Sequence, residues 1–260
     1  MAKIISICNR KGGVGKTVTA VNLSAYLAAL GKYVLLVDID PQANATSSFG
    51  IVPDNLDKSI YHSLIGQIYP EEIIKSTKIF GCHLLPSSFD LAGATVELIE
   101  LEDREYNLLK NLDSIRIKYD YVIIDCPPSL ELLTINGLVA SDEVIIPIQC
   151  DYYSLDGLNQ LLKAIDLIRR NLRSELRVRG ILLTMYDKKV KLAKYVKEKV
   201  QKQYFGRVFR TIIPKDHKLA EAPGLGKTIL QHDHKSEGAK AYFQLAKELI
   251  ATEKDYNLKF

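Results

Sequence analysis

The stretch Lys3-Ile-Ile-Ser-Ile-Cys8-Asn-Arg-Lys11-Gly-Gly-Val-Gly-Lys16-Thr17 sets the reading of this chain. Its first six residues form an apolar run of strand length. Thr17–Leu30 then carries helical periodicity and closes on Gly31, a residue suited to the turn that ends a helix. Glycines between strand and helix let backbone N–H groups close round phosphate oxygens with no Cβ in the way. The helix behind them turns the positive end of its dipole to the same point. Lys16 is spaced to reach β- and γ-phosphates, and the Thr17 hydroxyl to hold Mg²⁺. Gly12, Gly13, Val14, Gly15, Lys16, Thr17 and Val18 are therefore the candidate triphosphate contacts, and ATP with Mg²⁺ the expected cofactors.

Strand and helix patterns alternate through the rest of the chain. Tyr33–Val37, Cys82–Leu85, Tyr121–Asp125, Val144–Ile148, Arg179–Thr184 and Val208–Ile213 read as strands. Helical patterns run over Leu91–Leu101, Glu105–Ile115, Leu155–Leu172, Val190–Tyr204 and Ala239–Ile250, with weaker signals at Ile60–Leu64 and Glu71–Lys75. Ser129 is placed to cap a further helix reaching Ala140. The alternation predicts an α/β fold, a mainly parallel twisted sheet flanked by helices as in P-loop nucleotide hydrolases, with residues 1–260 as one domain. In such sheets ligands sit at the carboxyl ends of strands, where Asp40 and Asp125 fall. Asp125, closing Tyr-Val-Ile-Ile-Asp, suits Mg²⁺ held through water. Asp40 suits the attacking water or the metal, and Asp38 competes for either role. A second glycine string, Gly224-Leu-Gly-Lys227-Thr228, lacks the leading glycine (Glu221 stands there), follows Pro223, and reads as a surface loop.

Charge divides the chain. Residues 1–150 carry 12 Lys+Arg against 18 Asp+Glu, and residues 151–260 carry 23 against 13, so the net of +4 hides a basic second half that suits a polyanion. Within Lys188–Lys202, seven lysines meet one acid. On a helix, Val190, Leu192, Ala193, Val196, Val200 and Tyr204 fall on one apolar face and most of the lysines opposite. The four cysteines have no Cys-x-x-Cys spacing and lie at or beside strands, where buried thiols are expected rather than zinc or disulfides. No apolar run is long enough to span a bilayer, and the expected compartment is the cytoplasm.

The second lysine of the loop, Lys11, preceded by Arg10 where a glycine is usual, resembles the deviant Walker A motif of the ParA/MinD class of ATPases. Ala20-Val-Asn-Leu23, Val37-Asp-Ile-Asp-Pro-Gln42, Leu85-Pro-Ser-Ser88, Asp90-Leu-Ala-Gly93, Asp125-Cys-Pro-Pro-Ser129 and Glu221-Ala-Pro223 extend the likeness along most of the chain. Together they resemble the ParA/Soj chromosome- and plasmid-partitioning ATPases. The resemblance implies a homodimer that forms with ATP, binds double-stranded DNA without sequence preference on the nucleoid, and lets go after hydrolysis stimulated by a ParB/Spo0J-type partner. It implies Lys11 as the lysine that reaches the other subunit's phosphates, Lys16 as the phosphate lysine, Thr17 as Mg²⁺ ligand and Asp40 as the catalytic acid. Pro214 and Asp216 match its adenine-side contacts, and Lys189 and Lys218 its DNA contacts. Lys191, Lys194 and Lys215 join them as candidate DNA-binding residues. Val18 replaces a usual Thr, and Asp216 a usual Asn.

Two other readings share the scaffold. A MinD-like ATPase that positions cell division would need an amphipathic C-terminal helix, whereas Glu248–Phe260 is mixed in charge with no sustained apolar stripe, so no membrane partner is expected. An amide-forming or iron–sulfur enzyme would in its redox form need well-placed thiolates for a cluster held across a dimer, and Cys126 beside Asp125 is expected to be buried.

Overall fold

The computed structural model describes residues 1–151 and 154–256. Its elements run β1 (Lys3–Ile7), α1 (Lys16–Ala29), β2 (Val34–Asp38), α2 (Asn44–Ser48), α3 (Ile60–Leu64), β3 (Lys75–Ser76), β4 (Cys82–Leu85), α4 (Leu91–Ile99), α5 (Asn107–Ile115), β5 (Tyr121–Asp125) and α6 (Leu132–Ala140). Then follow β6 (Glu143–Gln149), α7 (Ser154–Asn171), β7 (Arg177–Thr184), α8 (Lys191–Gln203), α9 (His217–Gly224), α10 (Ile229–His232) and α11 (Glu237–Tyr256). The seven strands form one sheet in the order β3-β4-β2-β5-β1-β6-β7, parallel except for the short edge strand β3.

Every residue of β2 and β5 is buried, so these strands show no alternation of polar and apolar positions. The cause is cover on both faces, as parallel strands with crossover helices require. Alternate side chains enter two cores. Val37, Val122, Ile124 and Ile146 pack on one face with Leu108 and Leu112 of α5 and Leu158 and Leu161 of α7. Ile5, Leu36, Ile123 and Ile145 pack on the other with Leu23 and Leu27 of α1 and Tyr242 and Leu245 of α11. The four cysteines are free and buried, Cys126 among them. Among the described residues no helix is long and apolar enough to cross a membrane. The last four residues of the tail, 257–260, lie outside the described residues.

Several elements differ from expectation. Val208–Ile213 does not join the sheet as a strand but touches it through two isolated parallel bridges, Ile181 to Val208 and Tyr186 to Pro214. The backbone N–H groups of Arg210 and Thr211 donate instead to the Glu248 carboxylate of α11, at 2.7 and 2.9 Å, which draws the segment off the β7 edge. The helix expected from Ser129 begins at Leu132, with Glu131 extended at its N-cap. Glu71–Lys75 is a single 3-10 turn at Pro70–Glu72 followed by β3.

The second glycine string is a turn between two short helices. Gly224 ends α9, Gly226 takes a left-handed φ of 61°, and Thr228 caps α10. Gly226 also presses on Gly50 beyond α2: a Cβ there would stand 2.8 Å from the Gly50 Cα. Gly226→Ala is therefore expected to cost about 1–3 kcal/mol of unfolding free energy. Urea denaturation measures this, and an unchanged midpoint would show that the turn yields freely.

Candidate nucleotide-binding site

The loop between β1 and α1 owes its shape to glycines and to one asparagine. Gly13 and Gly15 hold left-handed φ values of 72° and 87°, which side-chain-bearing residues rarely adopt. The Asn9 carboxamide donates to the Pro147 carbonyl at 2.7 Å, and its oxygen accepts the Lys11 N–H at 3.0 Å, tying the loop to the end of β6. The Lys16 ammonium spans the loop to the Lys11 carbonyl at 3.2 Å. A Cβ on Gly12 or Gly13 would meet nothing within 4 Å, so the loop faces open space on that side.

That space is a cavity of about 570 Å³, lined by Gly12, Gly13, Gly15, Lys16, Thr17, Val18 and Asp40 of the expected residues. Val14 is buried behind the loop, where its carbonyl accepts the Thr184 hydroxyl at 2.8 Å. Lys11 stands outside the lining, half-exposed, with its ammonium paired to the Asp151 carboxylate. Burial would raise the pKa of Asp151, but hydrogen bonds from Lys11 and Ser154 outweigh it and hold the group below its ordinary value. Pro214 and Asp216 also lie outside the lining. Both Asp216 oxygens are engaged, accepting the N–H of Lys218 at 2.9 Å and of Gly238 at 2.7 Å, so this side chain caps α9 and ties it to the start of α11.

The remaining wall was not foreseen as a site: Gln42, Asn44, Ser47 and Ser48 round α2, Pro128, Met185, and Pro223 with Gly224 at the end of α9. Of these, Gln42, Pro128, Pro223 and Gly224 fall in sequence strings already singled out. Met185, which holds a left-handed φ of 51°, stands in no motif of the sequence.

The three acids separate by environment. Asp38 is fully buried, and its oxygens accept the Asp40 N–H at 3.1 Å and the Thr46 N–H and hydroxyl at 2.8 and 2.7 Å. Burial pushes its pKa up to about 7, the bonds from Thr46 and Asp40 opposing. Its role is to fix the turn into α2, which leaves Asp40 to face the cavity. One Asp40 oxygen accepts the Gln42 N–H at 2.9 Å, and the Asp40 carbonyl accepts the Ser87 hydroxyl at 2.8 Å. Asp125 is fully buried and neither of its oxygens has a hydrogen-bond partner of normal geometry. Burial, then the nearby Asp38, raise its pKa well above the ordinary carboxylate value, against Thr17 and Lys16, which lower it.

A buried carboxylate left without a partner beside the Thr17 hydroxyl fits a divalent cation. Among the described residues no three His, Cys, Asp or Glu side chains converge to hold a metal. A cation here would draw most of its oxygen ligands from phosphates and water, which is the habit of Mg²⁺.

The topology also gathers the expected DNA lysines. Lys189 lies in the loop after β7, and Lys191 and Lys194 on the first turns of α8, all exposed. The Lys215 N–H bonds the Tyr186 carbonyl at 3.0 Å, which brings Lys215 alongside that loop. Lys218 stands on α9 with its ammonium 2.9 Å from Glu221. The inner stripe of α8 is narrower than its periodicity suggests. Ala193, Val196 and Val200 are buried, whereas Val190 and Leu192 are exposed, because the helix packs at the sheet's edge and offers it one side only.

Residues 2–178 match the protein family described as AAA domain. The chain is 49% identical over 251 residues to the sporulation initiation inhibitor protein Soj of Bacillus subtilis (strain 168), covering 96% of this chain and 99% of that protein. It is 45% identical over 250 residues to the chromosome partitioning protein ParA of Myxococcus xanthus (strain DK1622), covering 96% and 88%. Its fold matches the crystal structure of cobyrinic acid a,c-diamide synthase from Mycobacterium smegmatis with bound ADP and magnesium, with a TM-score of 0.87 and 36% identity over 98% of this chain and 96% of that one. Higher identity thus lies with the partition proteins than with the amide-forming enzyme.

The acids make stability depend on pH. Unfolded aspartates release their protons near 3.8, folded Asp38 only near 7, and Asp125 is also raised. Between those values the folded chain binds more protons, so without nucleotide its thermal midpoint should fall as pH rises from about 4 to 7. Asp125→Asn removes one such carboxyl without breaking a protein hydrogen bond, and should make the fall shallower. Equal slopes for the two proteins would mean that Asp125 is solvated and ionised in the folded chain.

Proposed function

This chain belongs to the Soj/ParA family of chromosome-partitioning ATPases, and on that premise we propose that it is an ATP-timed switch on DNA. It binds ATP with Mg²⁺, pairs with a second copy, holds duplex DNA of any sequence on the nucleoid, and releases it after hydrolysis stimulated by a ParB-type partner. All 260 residues act as one ATPase domain. The observation that carries the reading is the pair of lysines on one glycine loop, Lys16 inside the cavity and Lys11 outside it.

Each role follows from placement. Backbone N–H groups of the loop and the Lys16 ammonium hold the phosphates. The Thr17 hydroxyl and the Asp125 carboxylate hold Mg²⁺, which supplies charge neutralisation for phosphoryl transfer. Asp40 orients the attacking water, one oxygen fixed by Gln42 and the other left for that water. Lys11 meets the phosphates of the second copy. Its pairing with Asp151 is part-exposed on both sides, so exchanging that partner for a phosphate costs little. Pro214 and Asp216 bound the base from outside the cavity wall. Lys189, Lys191, Lys194, Lys215 and Lys218 neutralise DNA phosphates, the last after leaving Glu221. A membrane role gains no support from α11, since its Leu245, Ala246 and Leu249 are buried against the rest of the fold.

Lys11→Ala should bind fluorescent ATP as the wild type does yet stay single on a sizing column with ATP and Mg²⁺. A dimer of that variant would remove the role of Lys11 in the second subunit. Asp40→Ala should lose at least about a hundredfold in turnover and remain on DNA as an ATP-bound dimer. Wild-type turnover in that variant would move the water-orienting role to another residue.

A further inference from the structure

Large apolar side chains exposed singly on a surface need no explanation, but a group of them inside a field of charge does. Such a group lies at the start of α8. The helix spends its inner stripe of Ala193, Val196 and Val200 on the sheet. At 100° per residue, Tyr195 falls on the opposite side between Lys191 and Lys199, and Leu192 falls beside Lys199. Tyr195 is 56% exposed, Leu192 43% and Val190 45%. The Lys199 ammonium stands 5.9 Å from the centroid of the Tyr195 ring, so ring and cation form one surface unit. Lys188 and Lys189 precede the helix, and Lys215 is held alongside by its bond to Tyr186.

We propose that Tyr195 and Leu192 are DNA contacts, apolar surfaces that lie against sugars and base edges while the surrounding lysines take the phosphates. This rests on the DNA reading above and extends it from charge alone to a mixed surface. The occupant is a nucleic acid duplex because seven cations crowd Lys188–Lys202 against one acid. An interfacial membrane helix would need a continuous apolar face, and the inner stripe of this one is already buried in the fold.

The two kinds of contact respond differently to salt. A lysine–phosphate contact releases counterions, so its contribution fades as salt rises. A ring or methyl group against a sugar or base edge releases none, so its contribution persists at high salt. The surface would therefore keep a hold on DNA that lysines by themselves could not.

The test is fluorescence anisotropy of a labelled mixed-sequence duplex with the full chain, ATP and Mg²⁺, across a salt series. Replacing Leu192 and Tyr195 together by Ala should weaken binding about fivefold or more at every salt concentration, leaving the slope of log affinity against log salt unchanged. Tyr195→Phe should bind as the wild type does, and Lys194→Ala should make the slope shallower by about 0.9 for each copy in contact with the duplex. Because both side chains are exposed, an unchanged urea midpoint for the double variant separates a lost contact from a lost fold. Wild-type affinity in the double variant overturns the proposal, as does a loss that flattens the slope the way a lysine does. Equal duplex binding by both proteins, with only the wild type floating on phosphatidylserine vesicles, would assign the patch to a membrane instead. A wild type that ignores the duplex even with ATP at low salt would bring down the DNA reading itself, and this proposal with it.

Discussion

The register of three adjacent parallel strands is the constraint on which the site depends. Asp125 at the end of β5 is level with Ile7 on β1 and with Asp38 on β2. That alignment sets the buried carboxylate beneath the loop that leaves β1 and beside the turn that leaves β2. Shifting either neighbour by one residue would turn its side chains to the opposite face and undo both cores as well as the site. The cost of the arrangement is a buried carboxylate without a hydrogen-bond partner at the end of a central strand. An orphaned acid of this kind opposes stability and makes sense only where a cation is to be met.

Around that centre the basic half of the chain is fastened to the acidic half through the pairing of β6 with β7 and through both cores, and further contacts adjoin the cavity. The Asn22 side chain of α1 accepts the Ile229 N–H of α10 at 2.8 Å. Gly50 and Gly226 bring the end of α2 against the turn after α9. Within the basic half, Asp216 ties the start of α9 to α11. The end of α9 therefore forms cavity wall through Pro223 and Gly224, while its first turn carries Lys218. The cavity wall and Lys218 thus lie on one eight-residue helix.

Charge is sorted by the same topology. The acids that matter to the site come from the ends of β2 and β5 in the first half, and the cations gather where the loop after β7, α8 and the segment before α9 meet. Lysine-rich helices in general are solvated faces. Here exposed Leu192 and Tyr195 among the lysines give the face a composition that solvation does not require.

Much of this was legible in the chain itself. The glycine loop between an apolar strand and a helix, the acids at and just beyond the strand ends, Asp125 and Asp40, and the alternation of strand and helix all depend on local spacing, and local spacing is what a sequence displays. Other features depend on who the neighbour is. The segment 208–213 has strand composition, yet Glu248, nearly forty positions away, takes its N–H groups. Asp38 and Asp40 are two residues apart and chemically identical, and only the Thr46 bonds and the Gln42 bond tell the structural acid from the one that faces the cavity. Leu192 stands by periodicity at the flank of the inner stripe of its helix, and its exposure follows from where the sheet ends. The wall of Met185, Pro223 and Gly224 is assembled from distant turns, and no local pattern shows that these turns meet, because burial and hydrogen-bond partnership are properties of packed surfaces rather than of residue order.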